Sequence, residues 1–313
     1  MIRSYPHAEA PWQGAIWLDL CNASDDERAE VERVTGLRVP TQAEISEIET
    51  SSRVFTEKDA MYLSSPLPAS GDAREPLTAV GFVLTKSMLL SVRFADNPAF
   101  ESLYASCVKV GPHSARDVFL RILEALVDRS ADTLEHTSAE LDTLSHRAFH
   151  AESGRPRKVK EASEALRRTL RKLGQMADWI SQIRDTLLGL GRIAAFVGET
   201  GEAVLDKNDV PRLKAIRSDI ASLNDYQLHL SGKVQFLLDA TLGFINIEQN
   251  DIVKILTIVS VVGVPPVLVA GIYGMNFHVM PELGWTLGYP FAIAVMIVTA
   301  LLPLAWFKWR GWV

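Results

Sequence analysis

Cysteine is scarce in this sequence, and several motifs that would identify an enzyme are missing. Only Cys21 and Cys107 occur among 313 residues. Two widely separated cysteines cannot build the disulfide framework of a small secreted domain, so we expect buried free thiols. The N-terminal segment has no apolar core typical of a cleaved secretory signal. We find no glycine-rich phosphate loop, no metal-ligand spacing and no nucleophile elbow, and therefore do not expect an enzyme.

Charge is missing from the last part of the chain. Charged residues are frequent up to Lys254 and almost vanish afterwards, although the formal net charge is −6. The acidic balance argues against nucleic acid as a partner. A polytopic membrane protein would distribute its apolar runs along the whole chain. We therefore predict a soluble region of about 250 residues followed by a short membrane tail.

Two uncharged stretches of this tail are long enough to cross a bilayer. Residues 255–276 exceed the roughly 18 apolar residues with which a helix crosses a hydrocarbon core of about 30 Å. A second apolar run covers residues 289–306. We predict a first membrane helix at about 252–272, an external loop at 273–288, a second membrane helix at 289–307 and a basic tail at 308–313.

Basic residues flank these two helices on one side only. Lys254 lies at the start of the first, Lys308 and Arg310 follow the second, and the loop between them has no lysine or arginine. The positive-inside rule therefore predicts a plasma-membrane protein with both termini in the cytoplasm. Aromatic residues are expected at the two headgroup levels, the outer ones being Tyr273, Trp285 and Tyr289 and the inner ones Trp306, Trp309 and Trp312.

The first 112 residues alternate between strand and helix signals. Capping-box patterns at Ser24 and Thr41 predict two helices. Strands are predicted at 14–20, 59–65, 77–84 and 88–94, with 107–110 as a further candidate. We expect an α+β domain, with a mixed sheet between helical layers, whose strand order cannot be derived from the sequence.

The pattern from residue 113 onward is helical. Leucine and isoleucine recur every three or four residues in 114–150, and a second helix is predicted from 158 to 196. These helices would form a hairpin within 113–205. The start of the second helix is basic, which indicates a solvated helix end or a contact with anionic lipid headgroups; the residues are Arg155, Arg157, Lys158 and Lys160.

A third helix is expected to begin at an acidic cap with proline in its first turn, Asp209 and Pro211. No turn signal follows before Gly263, so we predict one stalk helix, 206–272, that continues into the first membrane helix. At 1.5 Å per residue, the segment 211–271 would measure roughly 90 Å. Its apolar stripe requires partners, which are the hairpin or further copies of the chain.

Two membrane helices cannot enclose a water-filled path, so transport would require an oligomer. Helical periodicity places a mostly apolar set of side chains on one face of the first membrane helix. In an isolated anchor this face would contact lipid, whereas in a ring it would line a pore. Pro265 and Pro266 free backbone carbonyls, which indicates either a gating kink or a packing bend. The face consists of Asn250, Val253, Leu256, Thr257, Ser260, Val264, Val267 and Gly271.

The outer end of the first membrane helix carries a resemblance to a known family. Residues 273–277 read YGMNF, followed by MPEL at 280–283, Trp285, GYP at 288–290 and FKWRGW at 307–312. This combination resembles the CorA family of magnesium transporters, which are two-span proteins with a Gly-Met-Asn signature. The order of α/β domain, helical hairpin and stalk is also that of the family, so the resemblance covers the whole chain.

The resemblance implies a homopentameric funnel, without an organic cofactor, that moves Mg²⁺ and often Co²⁺ or Ni²⁺ into the cytoplasm. It implies that Asn276 forms an outer selectivity ring, with Gly274 and Met275 shaping its loop. Neutral amide oxygens can hold Mg²⁺ through its tightly bound waters without trapping the ion. Glu282 either gathers cations outside the mouth or is solvated, and His278 is expected to be solvated.

The resemblance also implies closure by cytoplasmic Mg²⁺ bound to carboxylates between neighbouring subunits. Asp239 matches a stalk acid of the family by its distance from the signature. Other candidates, which would otherwise be solvated surface acids, are Asp219, Asp225, Glu57 and Asp59. The pore face departs from common members of the family, because Val253 and Val264 stand where methionines are frequent and Val267 where a threonine is often found.

Two alternatives stay open. A ZntB-like transporter would move Zn²⁺ with protons, but the MPEL loop and the lack of Cys/His clusters favour magnesium. A membrane-anchored coiled-coil scaffold without transport would tolerate Asn276→Ala. The partners expected from the first interpretation are further copies of the chain, divalent cations and membrane lipids, with no nucleic acid.

Overall fold

A mixed β-sheet forms in the N-terminal part of the chain. The computed structural model describes residues 1–7, 12, 14–47, 49, 53–68, 77–149, 159–201, 205–276 and 280–312. Within them the strands of the sheet are β1 Ile2–Tyr5, β2 Trp17–Cys21, β3 Val54–Glu57, β4 Ala60–Pro68, β5 Leu77–Leu84 and β6 Leu89–Arg93. These six strands lie in the order β1-β2-β6-β5-β4-β3. β2 and β6 are parallel, and the other pairs are antiparallel.

Helices cover both faces of the sheet and then continue to the C-terminal region. A short 3-10 helix at Pro281–Gly284 precedes the last of them. The α-helices are α1 Asp25–Thr35, α2 Gln42–Ile45, α3 Pro98–Val110, α4 Ala115–Phe149, α5 Val159–Thr200, α6 Asp209–Tyr273 and α7 Gly288–Trp309. The chain divides into two compact units, Met1–Leu238 and Asp239–Val313. The predicted mixed sheet, the helical layers and the long third helix are confirmed.

Local signals predicted several elements correctly. Both capping boxes are present, with the side chains of Ser24 and Thr41 accepting hydrogen bonds from the third helical N–H. The predicted strand at 77–84 coincides with β5. The strands predicted at 14–20, 59–65 and 88–94 exist with shifted limits as β2, β4 and β6. The basic cluster that begins the second hairpin helix lies outside the residues whose side chains are described.

The strand proposed at 107–110 is wrong, because these residues form the last turn of α3. The side chain of Asn97 caps this helix by accepting a hydrogen bond from the Ala99 N–H at 2.9 Å, and Pro98 occupies the first turn. Phe100, Leu103 and Cys107 are buried at spacings of three and four, which is a helical rather than a strand period. The sequence reasoning also missed the short edge strands β1 and β3.

The core of the first unit lies on both faces of the sheet. One face, including Trp17 and Phe82, belongs to a hydrophobic cluster that continues through α3, α4 and α5 to the first part of α6. The opposite face packs against α1 through Val31. Gly189 permits the close approach of α5 to β4, since a Cβ there would lie 2.3 Å from the Ser65 Oγ. A larger residue would push the helix from the sheet.

A buried ion pair joins the two parallel strands. The guanidinium of Arg93 in β6 donates to the Asp19 carboxylate of β2, with Nη2–Oδ2 at 2.8 Å, and both side chains are only 4% exposed. The Ser91 hydroxyl donates to the same carboxylate at 2.7 Å and accepts from the Trp17 indole N–H at 2.9 Å. Because each charge satisfies the other, burial of the pair is tolerated.

Ion pairs also hold the start of α6 against α4. Arg212 donates to both carboxylate oxygens of Glu124, at 3.0 and 2.8 Å, and to Asp117 at 2.8 Å. Burial opposes ionisation of Asp117, but hydrogen bonds from Arg212 and Arg121 outweigh it and lower the pKa of that carboxyl. The orientation of the first turns of α6 is therefore set by charge pairing as well as by apolar contact.

Two helices in the described residues are long and apolar enough to cross a membrane, α6 and α7. The most apolar 18-residue window of α6 is 0% buried and that of α7 is 11% buried. The core helix of a soluble protein would be mostly buried. These exposed apolar windows agree with the two predicted membrane helices, one of them continuous with the stalk.

Candidate functional site

The candidate site is the C-terminal end of α6 and the segment that follows it. The Gly274 N–H donates to the Ala270 carbonyl at 3.0 Å, and the Met275 N–H donates to the Ile272 carbonyl at 3.2 Å. These bonds tighten the last turn. Asn276 follows directly and is exposed. A helix C-terminus carries partial negative charge, so this end of α6 favours a nearby cation.

A close approach of the backbone favours glycine at position 274. A Cβ at Gly274 would lie 3.1 Å from the Ala270 carbonyl oxygen and 3.5 Å from the Gly271 carbonyl oxygen. The first distance is shorter than an ordinary contact, and both neighbours are backbone atoms that cannot rotate away. A side chain would therefore require the backbone of this turn, which precedes Met275 and Asn276, to shift by a few tenths of an ångström.

The predicted pore face is exposed along α6. Val267 is 71% exposed and Leu256 66% exposed. Ser260, Val264, Val267 and Gly271 share an open apolar groove with Met275. The Thr257 hydroxyl donates to the Val253 carbonyl at 2.8 Å, so its proton is committed to the helix and only its acceptor lone pairs face outward. Asn250 is exposed at the other end of the face.

The two prolines of α6 lie away from this face. Val253 and Gly271 are five helical turns apart and define its centre line. Counting about 100° per residue, Pro265 lies about 120° and Pro266 about 140° from that line. The carbonyls that lose their N–H donors belong to Val261 and Val262, at about 80° and 180°. Both prolines therefore lie off the predicted pore face, a placement that is compatible with a gating kink as well as with a packing bend.

The loop beyond Asn276 is only partly described. His278 lies in 277–279, outside the described residues, and the side chain of Glu282 is also outside them, although its backbone belongs to the 3-10 helix. Trp285 contacts Phe291 edge to face, with ring centroids 6.0 Å apart. This contact joins the end of the loop to the first turn of α7.

The candidate regulatory acids lie on exposed surfaces of the chain. Asp219, Asp225 and Asp239 are exposed on α6, and Asp59 is exposed in the turn between β3 and β4. Glu57 forms an ion pair with Arg38 at 3.6 Å.

The structure does not bring these acids together into a metal site. Asp219 lies near α4, where burial and the charges of Asp132, Glu124 and Asp219 raise the pKa of Asp128. Within the described part of the chain, no group of three or more His, Cys, Asp or Glu side chains is arranged to hold a metal. A single chain therefore does not assemble a regulatory site from the residues predicted for it.

An aromatic and basic cap after α7 was not predicted as a packed unit. Phe307 is 2% exposed, although it lies near the end of an exposed helix. Its ring stacks on Trp312, at 5.4 Å between centroids, and also contacts Trp306. Gly311 has φ +73° and reverses the chain, so that the Trp312 N–H reaches the Phe307 carbonyl at 2.9 Å. A glycine shortly after a helical pattern is the signal that could have indicated this turn.

Comparison with known proteins agrees with this architecture. The chain is 33% identical over 301 residues to the magnesium transport protein CorA of Haemophilus ducreyi, covering 95% of this chain and 92% of that protein. It is 34% identical over 306 residues to the protein of the same name from Escherichia coli K12, covering 96% and 93%. The solved structure of the CorA magnesium transporter from Methanocaldococcus jannaschii matches 95% of this chain and 91% of its own. The TM-score is 0.75 and the identity is 20%, so this likeness shows the fold.

The chain also matches a protein-family model over most of its length. A model described as CorA-like Mg²⁺ transporter protein matches residues 12–309, which is nearly the whole chain. The resemblance noted from the Gly-Met-Asn signature and its flanking motifs is confirmed. Membership of a transporter family also agrees with the expectation that the chain is not an enzyme. The chain belongs to the CorA family of Mg²⁺ transporter proteins.

Proposed function

We propose that the chain assembles into a channel-like transporter that carries Mg²⁺ across the plasma membrane into the cytoplasm. The observation that carries the proposal is Asn276, exposed immediately after the end of a membrane-length helix in a chain of this family. The magnesium transport proteins at 33% and 34% identity support Mg²⁺ as the cargo. Co²⁺ and Ni²⁺ are proposed as further cargo.

Asn276 is proposed to form a ring of amide oxygens at the outer mouth, with Gly274 and Met275 shaping its turn. Mg²⁺ dehydrates reluctantly, so amide oxygens contact the waters of the hydrated ion rather than replace them. The partial negative charge at the end of α6 adds attraction without the strong binding of a carboxylate ring. Glu282 is proposed to raise the local cation concentration outside this ring.

The exposed face of α6 is proposed to line the ion path in a homopentamer. Two membrane helices from one chain cannot surround water, and the apolar window of α6 is left uncovered within the chain. Symmetric copies would place Val253, Leu256, Val264 and Val267 as hydrophobic constrictions between the polar positions Asn250, Thr257 and Ser260. Gly271 keeps the path wide below the Asn276 ring.

The decisive experiment measures Mg²⁺ entry into proteoliposomes that contain a Mg²⁺-sensitive dye. We expect influx with the wild-type chain, loss of influx with Asn276→Ala, and normal influx with the control Asn208→Ala, an exposed asparagine before α6. The wild-type chain and Asn208→Ala should also restore growth of an uptake-deficient bacterium at low Mg²⁺, and Asn276→Ala should not. Absence of influx from a well-folded wild-type oligomer would favour the scaffold alternative.

We further propose that cytoplasmic Mg²⁺ closes the path by binding acids that different subunits bring together. Asp239 is the first candidate, and Asp219, Asp225, Glu57 and Asp59 are the others. Asp239→Ala should raise the internal Mg²⁺ concentration that half-inhibits influx. The matched control is Asp178→Ala, which removes another exposed helical acid and should leave this concentration unchanged. Unchanged inhibition in Asp239→Ala would remove this residue from the regulatory site.

The proposed transporter divides the chain into six segments. The cytoplasmic α/β domain covers 1–112, the hairpin 113–205 and the stalk with the first membrane helix 206–272. The external loop covers 273–288, the second membrane helix 289–307 and the basic tail 308–313. Both termini are placed in the cytoplasm, since Lys254, Lys308 and Arg310 flank the membrane helices on one side.

A further inference from the structure

The C-terminal cap, defined as Trp306, Phe307, Lys308, Trp309, Arg310 and Trp312, is organised around the buried ring of Phe307. Stacking of Trp312 on Phe307 and the reversal at Gly311 hold the cap together. The Arg310 guanidinium lies over the Trp306 ring, 5.4 Å from its centroid. A planar cation held against an aromatic face keeps its N–H edge free to donate elsewhere.

The positive charges of the cap lack acidic partners. The sequence has no aspartate or glutamate after Glu282. Among the ion pairs between described residues, none involves Lys308 or Arg310, whereas Lys254 of the same unit pairs with Asp251 at 3.0 Å. Lys308 and Arg310 are both exposed. The cap therefore presents two uncompensated cations at the point where the apolar helix ends.

The surroundings of these cations match a lipid headgroup. Trp309 is 84% exposed, and Leu302, about two turns earlier in α7, is 66% exposed. Tryptophan at the end of a membrane helix lies at the headgroup level, with apolar helix surface facing the acyl chains. An arginine fork binds phosphate oxygens in a bidentate manner, and a nearby lysine adds a second charge. A free phosphate would use the cations but not the exposed apolar surface.

We propose that the C-terminal cap binds the phosphate of an anionic glycerophospholipid, with Arg310 as the main donor, Lys308 as the second cation and Trp309 beside the glycerol region. The proposal rests on the membrane placement of α7 and not on ion transport. Its failure would therefore leave the proteoliposome result for Asn276→Ala unaffected. Binding would fix the end of α7 at the membrane surface.

The test compares phosphatidylglycerol with phosphatidylcholine, titrated into micelles of the full-length protein and detected as retained lipid by native mass spectrometry. The wild type should retain phosphatidylglycerol preferentially. Each of Arg310→Gln and Lys308→Gln should lower that preference about fivefold, because one cation near a membrane surface is worth about that factor. Arg310→Lys should lose less, since it keeps the charge but not the planar fork. Lys214→Gln removes an exposed cation in the first unit and should change nothing.

Three results would overturn the proposal. The first is equal retention of the two lipids by the wild type. The second is a loss in Arg310→Gln and Lys308→Gln no larger than in Lys214→Gln. The third is displacement of phosphatidylglycerol by millimolar inorganic phosphate, which would identify a site for free anions. Among the described residues Arg310 has a cation–π contact in the cap and Lys308 has none, so Lys308→Gln keeps the test valid if Arg310→Gln fails to fold.

Discussion

The two units of this chain use the same apolar residues in opposite ways. In Met1–Leu238, Leu120 and Leu123 of α4 are completely buried against the sheet and the neighbouring helices. In Asp239–Val313, Leu256 and Leu302 are each 66% exposed. Only Ala292 and Phe307 are buried hydrophobic residues among those described in the second unit. The first unit completes its core within the chain, whereas the second leaves most of its apolar surface uncovered.

Charge follows the same division. The first unit contains both exposed ion pairs and the buried Asp19–Arg93 pair, while the Lys254–Asp251 pair of the second unit is exposed. A buried pair is costly to break because the remaining charge loses its partner, but an exposed pair is already solvated. We therefore expect matched substitutions to cost much more stability in the first unit than in the second.

Arg93→Met should destabilise the protein by about 3–5 kcal/mol, because Asp19 would remain buried without its cation. Lys254→Met, which breaks the exposed pair of the second unit, should cost less than about 1 kcal/mol. The measurement is denaturant unfolding of the full-length protein in micelles, followed by circular dichroism. Similar costs for both substitutions would contradict the proposed contrast between the units.

Leu123→Ala should cost about 2–5 kcal/mol, since it opens a cavity in a close-packed core. Leu302→Ala, at an exposed position of α7, leaves no internal cavity and should cost well under half of that. Thermal unfolding of both variants in the same lipid or detergent checks the prediction. A large loss for Leu302→Ala would instead identify a packed contact that only the assembled protein contains.

Ser24→Ala should cost about 1 kcal/mol, because Ser24 accepts a hydrogen bond from the Glu27 N–H in the capping box of α1. The corresponding position before α7 is Leu287, which makes no capping hydrogen bond through its side chain. Leu287→Ala should therefore have almost no effect on unfolding. Equal effects would show that the capping bond of α1 does not contribute to stability.

The buried thiol of Cys21 makes a small contribution to the stability of the first unit, and this contribution depends on pH. Burial, followed by its hydrogen bond to Asp96, raises the pKa of this thiol to about 11 from an ordinary value of 9.0. A raised pKa stabilises the folded protein below pH 9, and this contribution is lost as the pH rises from 9 to about 11. Alkylation of Cys21 at pH 8 should be about 100-fold slower than in the unfolded chain. Similar rates in the folded and unfolded chains would contradict the raised pKa.

Much of the site could be predicted, because its signals are local in the chain. Asn276 and Gly274 belong to a contiguous signature, and the face from Asn250 to Gly271 follows from helical periodicity alone. Coordinates were needed to find the close approach of Gly274 to the Ala270 carbonyl. A count of helical angle places the prolines behind the predicted pore face. The candidate regulatory acids are different, since among the described residues no three of them are arranged to hold a metal.

The sequence alone determined the long helices, the uncharged membrane segments and the family, because periodicity, the absence of charge and a signature motif are properties of neighbouring residues. Three-dimensional packing set the strand order, the helical state of residues 107–110, the pairing of Asp19 with Arg93 and the stacking of Trp312 on Phe307. The strand order and the Asp19–Arg93 pair join residues far apart in the chain. Residues 107–110 became helical because α3 is capped and packed against the sheet as a whole, which a four-residue window does not record.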